Sequence, residues 1–357
     1  MADVFDHDWL GGLFADPAMA ALWSPQAQLS SMRAFEIAWS RALGRAGLVD
    51  EATAEAAAKA AASVTFDLAD LRAGMARDGV VAPRLVAQIV AVSGPARRAV
   101  HMGATSQDLI DTATAIAMRD SLSLIDQRLA NLTHVIIELD RCFGSVPMMG
   151  RTRMQAATPI TVHDRIMPWL LPLSEHRVRL SELRPRVSRV QVGGASGDRA
   201  ALGDSGDAIA ADVAHALDLG DPPRAWHAMR DGVAEFASFL SLVTGSLGKI
   251  GQDIVLMAQQ GISEISLSGG GASSAMPHKH NPILAELLVT LARFNAVQVS
   301  AAHHSMVHEQ ERSGAAWALE WMVLPSMAQA TGRSLTAART LLSQVTRIGT
   351  PAKDGLR

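Results

Sequence analysis

The stretch from Trp226 to Gln260 contains no proline, and as one α-helix rising 1.5 Å per residue it would be roughly 50 Å long. A rod of that length cannot shield its apolar side alone. It needs neighbours of comparable length alongside it, which is the packing of a helix bundle. Ser24 and Pro25 read as an N-cap and first helical residue, and Leu29, Met32, Phe35, Trp39 and Leu43 then recur at helical spacing until Gly44 and Gly47. Further helices are expected at about 121–141, 159–183, 204–219, 282–306 and from 313 onward, the last kinked near Pro325. Sheet is disfavoured, because tyrosine is absent, aromatics are 4% of residues and no run of alternating β-branched residues stands out. The expected fold class is all-α.

Hydrophobic side chains make up 48% of the 357 residues, enough for a large buried core. A formal net charge of -3 gives no general attraction to nucleic acid or anionic membrane, so any anionic ligand must be held by local positive charge. Cys142 is the only cysteine, which excludes an internal disulfide framework and a multi-cysteine zinc site and fits the cytoplasm. The opening MADVFDHDWLGG lacks the basic-then-apolar order of a signal peptide. Lys249, Gln252 and Asp253 interrupt the apolar run from Phe239 to Ala258, so no membrane span is expected. The expected division is an N-terminal helical domain at 1–100, a central long-helix bundle at 101–345 and a short tail at 346–357.

Two glycine-rich breaks, 190–207 and 266–281, interrupt the helices where chemistry tends to sit. The second holds GGGASSAMPHKHNP from Gly269 to Pro282: a glycine hinge, two hydroxyls, a basic cluster, then Asn281 and Pro282 as an expected N-cap and N1 pair. This string resembles the GSSxMPxKxNP signature loop of the fumarase/aspartase superfamily, with Ala272 in place of the glycine. The resemblance implies that Ser273 exchanges a proton beside a carboxylate while Lys279 and Asn281 contact that carboxylate. Such a carbon is weakly acidic, so its aci-carboxylate intermediate needs cationic and amide donors placed in advance. HMGATSQDLIDT from His101 resembles the family's first block and implies that His101, Thr105 and Ser106 meet substrate carboxylates; read alone, Thr105, Ser106 and Asp108 are simply a helix start. GRTRMQAATP from Gly150 carries Arg153 where many family lyases have a proton-donating histidine. An arginine there is suited to clamping an extra carboxylate, and Gln155 keeps the family's amide.

The strings FDLADL from Phe66, GATSQDLIDTA from Gly103, WHAMRDGVAEF from Trp226 and HEQERSGAAWALEW from His308 resemble the bacterial cycloisomerases of 3-carboxymuconate. The resemblance implies a fumarase/aspartase-like long-helix bundle with the C-terminal domain largely missing. It also implies a homotetramer with sites shared between subunits, a polycarboxylate substrate and no metal or organic cofactor. Ala318 follows Trp317 where that branch usually has histidine, which keeps a sulfomuconate cycloisomerase open. Another lyase of the fold, such as adenylosuccinate lyase, and a non-catalytic protein on this scaffold are further alternatives. Three other features weigh towards structural roles. GSLGKIG around Lys249 lacks the Ser or Thr of a phosphate loop. His303 and His304 point in different directions on a helix. Trp317 and Trp321 form a packed stripe one turn apart. His227 and Arg230 share a helical face, either as ligand-binding residues or as a buried pair.

Overall fold

The computed structural model describes residues 3–271, 276 and 279–351. Two short helices, α1 (Gly11–Phe14) and α2 (Pro17–Leu22), lead into α3 (Pro25–Arg45), α4 (Glu51–Ser63), α5 (Leu68–Asp78) and α6 (Ala82–Ser93). Helix α7 (Ser106–Phe143) is followed by strands β1 (Pro147–Thr152) and β2 (Gln155–Thr161), then by α8 (Val162–Val187) and α9 (Gly206–Ala216). The remainder is α10 (Asp231–Met257), β3 (Ile265–Leu267), α11 (Ile283–His304), α12 (Ala315–Ser343) and β4 (Val345–Ile348). The all-α expectation holds for the architecture. Ser24 caps α3 by accepting from the Ala27 amide at 3.2 Å, with Pro25 at N1.

Among the described residues the longest helix is α7, with 38 residues, and not the one after Trp226, where α10 has 27. Helices α7, α8, α10, α11 and α12 lie side by side, with α10 against α8, α11 and α12, and α7 against α8 and α12. Two of the three glycines of GSLGKIG, Gly248 and Gly251, serve the α10–α11 contact, as expected of a structural role. A Cβ on Gly251 would lie 2.5 Å from the Ala285 carbonyl oxygen, and one on Gly248 2.6 Å from the Ala292 Cβ. A second, smaller core gathers Phe35, Trp39, Leu43, Leu85 and Ile89 with Val190, Val192, Ile209 and Val213, drawing on residues both before and after the division expected at residue 100.

Among the described residues four short strands accompany the helices. β1 and β2 form an antiparallel hairpin in which Thr152 pairs with Gln155, and β3 pairs antiparallel with β4. Between Thr152 and Gln155 the chain turns through Arg153 (φ 47) and Met154 (φ 69). Two successive left-handed residues make the tightest hairpin turns, which favour Asn-Gly, so this sequence carries no ordinary turn signal.

An ion cluster ties α7 to α10 and α12. The Arg230 guanidinium is fully buried; it donates to both Asp111 oxygens at 2.7 and 3.1 Å and, through Nε, to Glu320 at 2.9 Å. Burial opposes the Arg230 charge, and the two carboxylates more than offset this, holding its pKa above the ordinary arginine value. Asp111 also accepts from Gln107 at 3.0 Å, Gln191 at 3.1 Å and Trp317 at 2.9 Å. Arg230 is thus half of the buried-pair reading made real. Replacing it with methionine strands two buried carboxylates, so Arg230→Met is expected to lower unfolding free energy by about 3–5 kcal/mol. Urea denaturation measures this, and a loss below about 1 kcal/mol would show that the cluster does not hold the helices together.

Candidate active site

Three side chains on one face of α3 hold the segment that precedes α7. Glu36 bonds the His101 Nδ1 at 2.5 Å, the Trp39 indole donates to the Met102 carbonyl at 3.0 Å, and Ser40 donates to the Ala99 carbonyl at 3.2 Å. His101 is held there with φ 55, a conformation that a side chain with a Cβ seldom adopts. Burial lowers the affinity of this imidazole for a proton, but the Glu36 carboxylate beside it, with a smaller effect from Asp108, leaves its pKa above the ordinary histidine value.

Thr105 occupies the N-cap of α7, and its backbone amide donates to Asp108 at 2.9 Å. Its hydroxyl accepts from the Arg312 guanidinium at 2.7 Å. Ser106 is the first residue of the helix. His101, Thr105 and Ser106 therefore cluster at a helix N-terminus, where unpaired amides and the helix dipole favour an anion. Arg312 adds a cation that the sequence reading did not single out, since nothing near it in the chain points to a residue 207 positions away.

Asp108 organises this corner. Fully buried, its carboxylate accepts from the amides of Thr105, Gly193 and Gly194 at 2.9, 2.8 and 2.9 Å, and it bonds the His227 Nε2 at 2.9 Å. The first glycine-rich break has its physical reason here. Gly194 has φ 68, and a Cβ on Gly193 would lie 2.5 Å from the Ala225 Cβ. His227 and Arg230 are both buried and paired to acids on α7, which places them in the scaffold.

The other expected residues lie at the far end of the bundle. Arg153 is at the exposed tip of the β1–β2 hairpin and Gln155 is exposed on β2, just beyond the C-terminal end of α7. With 38 residues, α7 is roughly 57 Å long, which sets the scale of their separation from His101. Asn281 exchanges backbone hydrogen bonds with Gly271 at 2.9 and 3.0 Å, and Lys279 is exposed nearby in the chain. This rung lies at the same far end, where Gln344, immediately after α12, receives the Ser268 amide at 2.8 Å. The expected N-cap role of Asn281 needs correction. Helix α11 begins at Ile283 with Pro282 in the cap position and no side-chain cap, because Asn281 is taken up by the Gly271 rung. Ser273 lies outside the described residues. A separate cleft of about 520 Å³ is lined mainly by apolar side chains such as Leu29, Met32, Leu71, Trp321 and Leu324, with Arg72 its one cation among the described residues, a lining better suited to an apolar group than to several carboxylates.

A family described as Lyase matches residues 15–298. With this fold, the chain belongs to that lyase family, a part of the fumarase/aspartase superfamily. Its relatives include the 3-carboxy-cis,cis-muconate cycloisomerase of Pseudomonas aeruginosa, 39% identical over 96% of this chain and 76% of the relative. The crystal structure of the 3-carboxy-cis,cis-muconate lactonizing enzyme from Pseudomonas putida superimposes with a TM-score of 0.88 at 37% identity, covering 96% of this chain and 77% of the other. An N-acetyl-S-(2-succino)cysteine lyase of Enterococcus italicus is 32% identical over 91% of this chain and 72% of its own.

The Asp108 node can be tested directly. Asparagine keeps the shape but replaces one acceptor oxygen with an amide donor, so the backbone N–H groups facing that position lose their acceptor. Asp108→Asn is expected to cost about 2–4 kcal/mol and to speed hydrogen exchange at the Gly193 and Gly194 amides more than at amides in α8. Unchanged protection at those glycines would refute the role given to Asp108.

Proposed function

We propose that the protein is a cycloisomerase that converts 3-carboxy-cis,cis-muconate into 4-carboxymuconolactone. The observation that carries this reading is the set of anion-binding groups at the start of α7, His101, Thr105, Ser106 and Arg312, in a chain 39% identical to such a cycloisomerase. In the proposed step a carboxylate oxygen of the substrate attacks the double-bond carbon bearing the third carboxylate. The electron pair moves to the neighbouring carbon and into its own carboxylate, and Ser273 then delivers a proton to that carbon. Lys279 and Asn281 bind the carboxylate on which charge accumulates, while Arg153 and Gln155 contact the others. The nucleophile belongs to the substrate, so orientation supplies much of the acceleration and no metal or organic cofactor is required.

We further propose a homotetramer with each site built by more than one subunit. Two features support this. The expected site residues sit at opposite ends of a bundle whose longest helix has 38 residues. In addition, α10 and α11 both have the length and hydropathy of a membrane span, yet only 28% of the apolar window of α11 is buried within the chain. Val297 on α11 is 71% exposed. An apolar helix so uncovered calls for a neighbour, and further copies of the chain satisfy it. On this reading the protein works in the cytoplasm, away from membranes and nucleic acid.

Incubation with 3-carboxy-cis,cis-muconate is expected to remove the diene absorbance, and Ser273→Ala to abolish this with folding and assembly unchanged. Failure of the wild type to consume the substrate overturns the cycloisomerase reading, and a Ser273→Ala variant of near wild-type rate overturns the serine's role. For the shared site, inactive His101 and Ser273 variants mixed, dissociated and reassociated should recover activity at about a quarter of sites, by counting subunit choices under closed symmetry. No recovery, with tetramers confirmed by light scattering and wild type surviving the procedure, would place both blocks of a site on one chain.

A further inference from the structure

The Glu36 carboxylate is 1% exposed and, among the described residues, has a single hydrogen-bond partner. One oxygen bonds the His101 Nδ1 at 2.5 Å; the other is buried without a hydrogen bond. A carboxylate placed purely for structure would be more fully satisfied, since each unpaired buried oxygen carries a desolvation cost. Were His101 neutral, Glu36 would also be a buried anion with no counter-charge. The His101 Nε2 makes no hydrogen bond with a described residue, and the side chain keeps 15% of its surface open. The imidazole is therefore tied at one nitrogen and free at the other.

We propose that Glu36 is a positioning residue for the reaction: its buried carboxylate fixes His101 through Nδ1 and commits the Nε2–H, as a cationic donor, to a substrate carboxylate. The inference rests on the reading of His101 as a substrate-binding residue and assigns it a charge state and the group that sets it. The groups around the imidazole agree with this. Glu36 from α3 and Asp108 from α7 both favour the cation, with Glu36 the stronger. Arg312, from the segment before α12, lies at the same corner and donates to the Thr105 hydroxyl at 2.7 Å. Trp39 and Ser40 anchor the neighbouring backbone independently of charge. Glu36→Gln therefore removes the charge while retaining an acceptor of the same shape.

Histidine C2-hydrogen exchange followed by mass spectrometry reads the titration of His101 without substrate. The midpoint in the wild type should lie above the ordinary histidine value and fall by about one pH unit or more in Glu36→Gln, a tenfold loss of proton affinity. With substrate, the alkaline limb of kcat/KM should move down by the same interval, most of the loss should fall on KM, and activity should return towards wild type as pH is lowered. A purely structural role for Glu36 would lower Tm without moving either midpoint or limb. A wild-type His101 midpoint no higher than the ordinary histidine value overturns the proposal even if the variant fails to fold. A midpoint that shifts as expected in a protein inert towards 3-carboxy-cis,cis-muconate keeps the Glu36–His101 pair and rejects only the substrate.

Discussion

Arg230 is the one charge on which the arrangement of the long helices depends. It lies fully buried between Asp111 on α7 and Glu320 on α12, with its own position just ahead of α10. Such a cluster stabilises little in net terms, because desolvation consumes most of the Coulombic gain, but it penalises severely any register in which one member lacks its partners. Apolar helix faces can slide by a turn and still bury similar area; an arginine between two carboxylates cannot. Within the same turns of α7, Asp108 secures the glycine loop and the N-terminal segment that presents His101, Thr105 and Ser106. Scaffold order and site order thus rest on two acids three residues apart.

Those acids also explain which parts of the fold could be read from the sequence. Helix α3 was legible because Met32, Phe35, Trp39 and Leu43 recur on its buried face and its cap is Ser24 followed by proline, although Glu36 and Ser40 are buried beside them. Helix α7 was legible at its start and from about residue 121, but not as one continuous helix, since Gln107, Asp108, Asp111 and Thr112 are all buried. Its inward face mixes these polar groups with Leu109, Ala113 and Met118, which blurs the pattern that marks an amphipathic helix. The β1–β2 hairpin escaped notice for a local reason: Arg153 and Met154 occupy left-handed turn positions without the Asn or Gly that would announce them.

The site divides in the same way. Contiguous strings pointed to His101, Thr105 and Ser106, and the structure gathers them at one helix start. Glu36 and Arg312 were invisible, because each acts on a residue far away in sequence: Glu36 on His101 across 65 positions and Arg312 on Thr105 across 207. A resemblance carried by short motifs identifies the groups that touch a ligand more readily than those that tune them.

The smaller core has a consequence for how the protein is made. Its helices from Met32 to Ala113 pack against Val190, Val192 and the segment through Val213 and Ala214. The chain leaves this lobe, crosses the bundle twice through α7 and α8, and returns. On a ribosome adding about 5–20 residues per second, the early helices wait on the order of ten seconds for their missing partners. During that interval their apolar faces are uncovered, and the nascent chain is most exposed to wrong association before half of the long bundle exists.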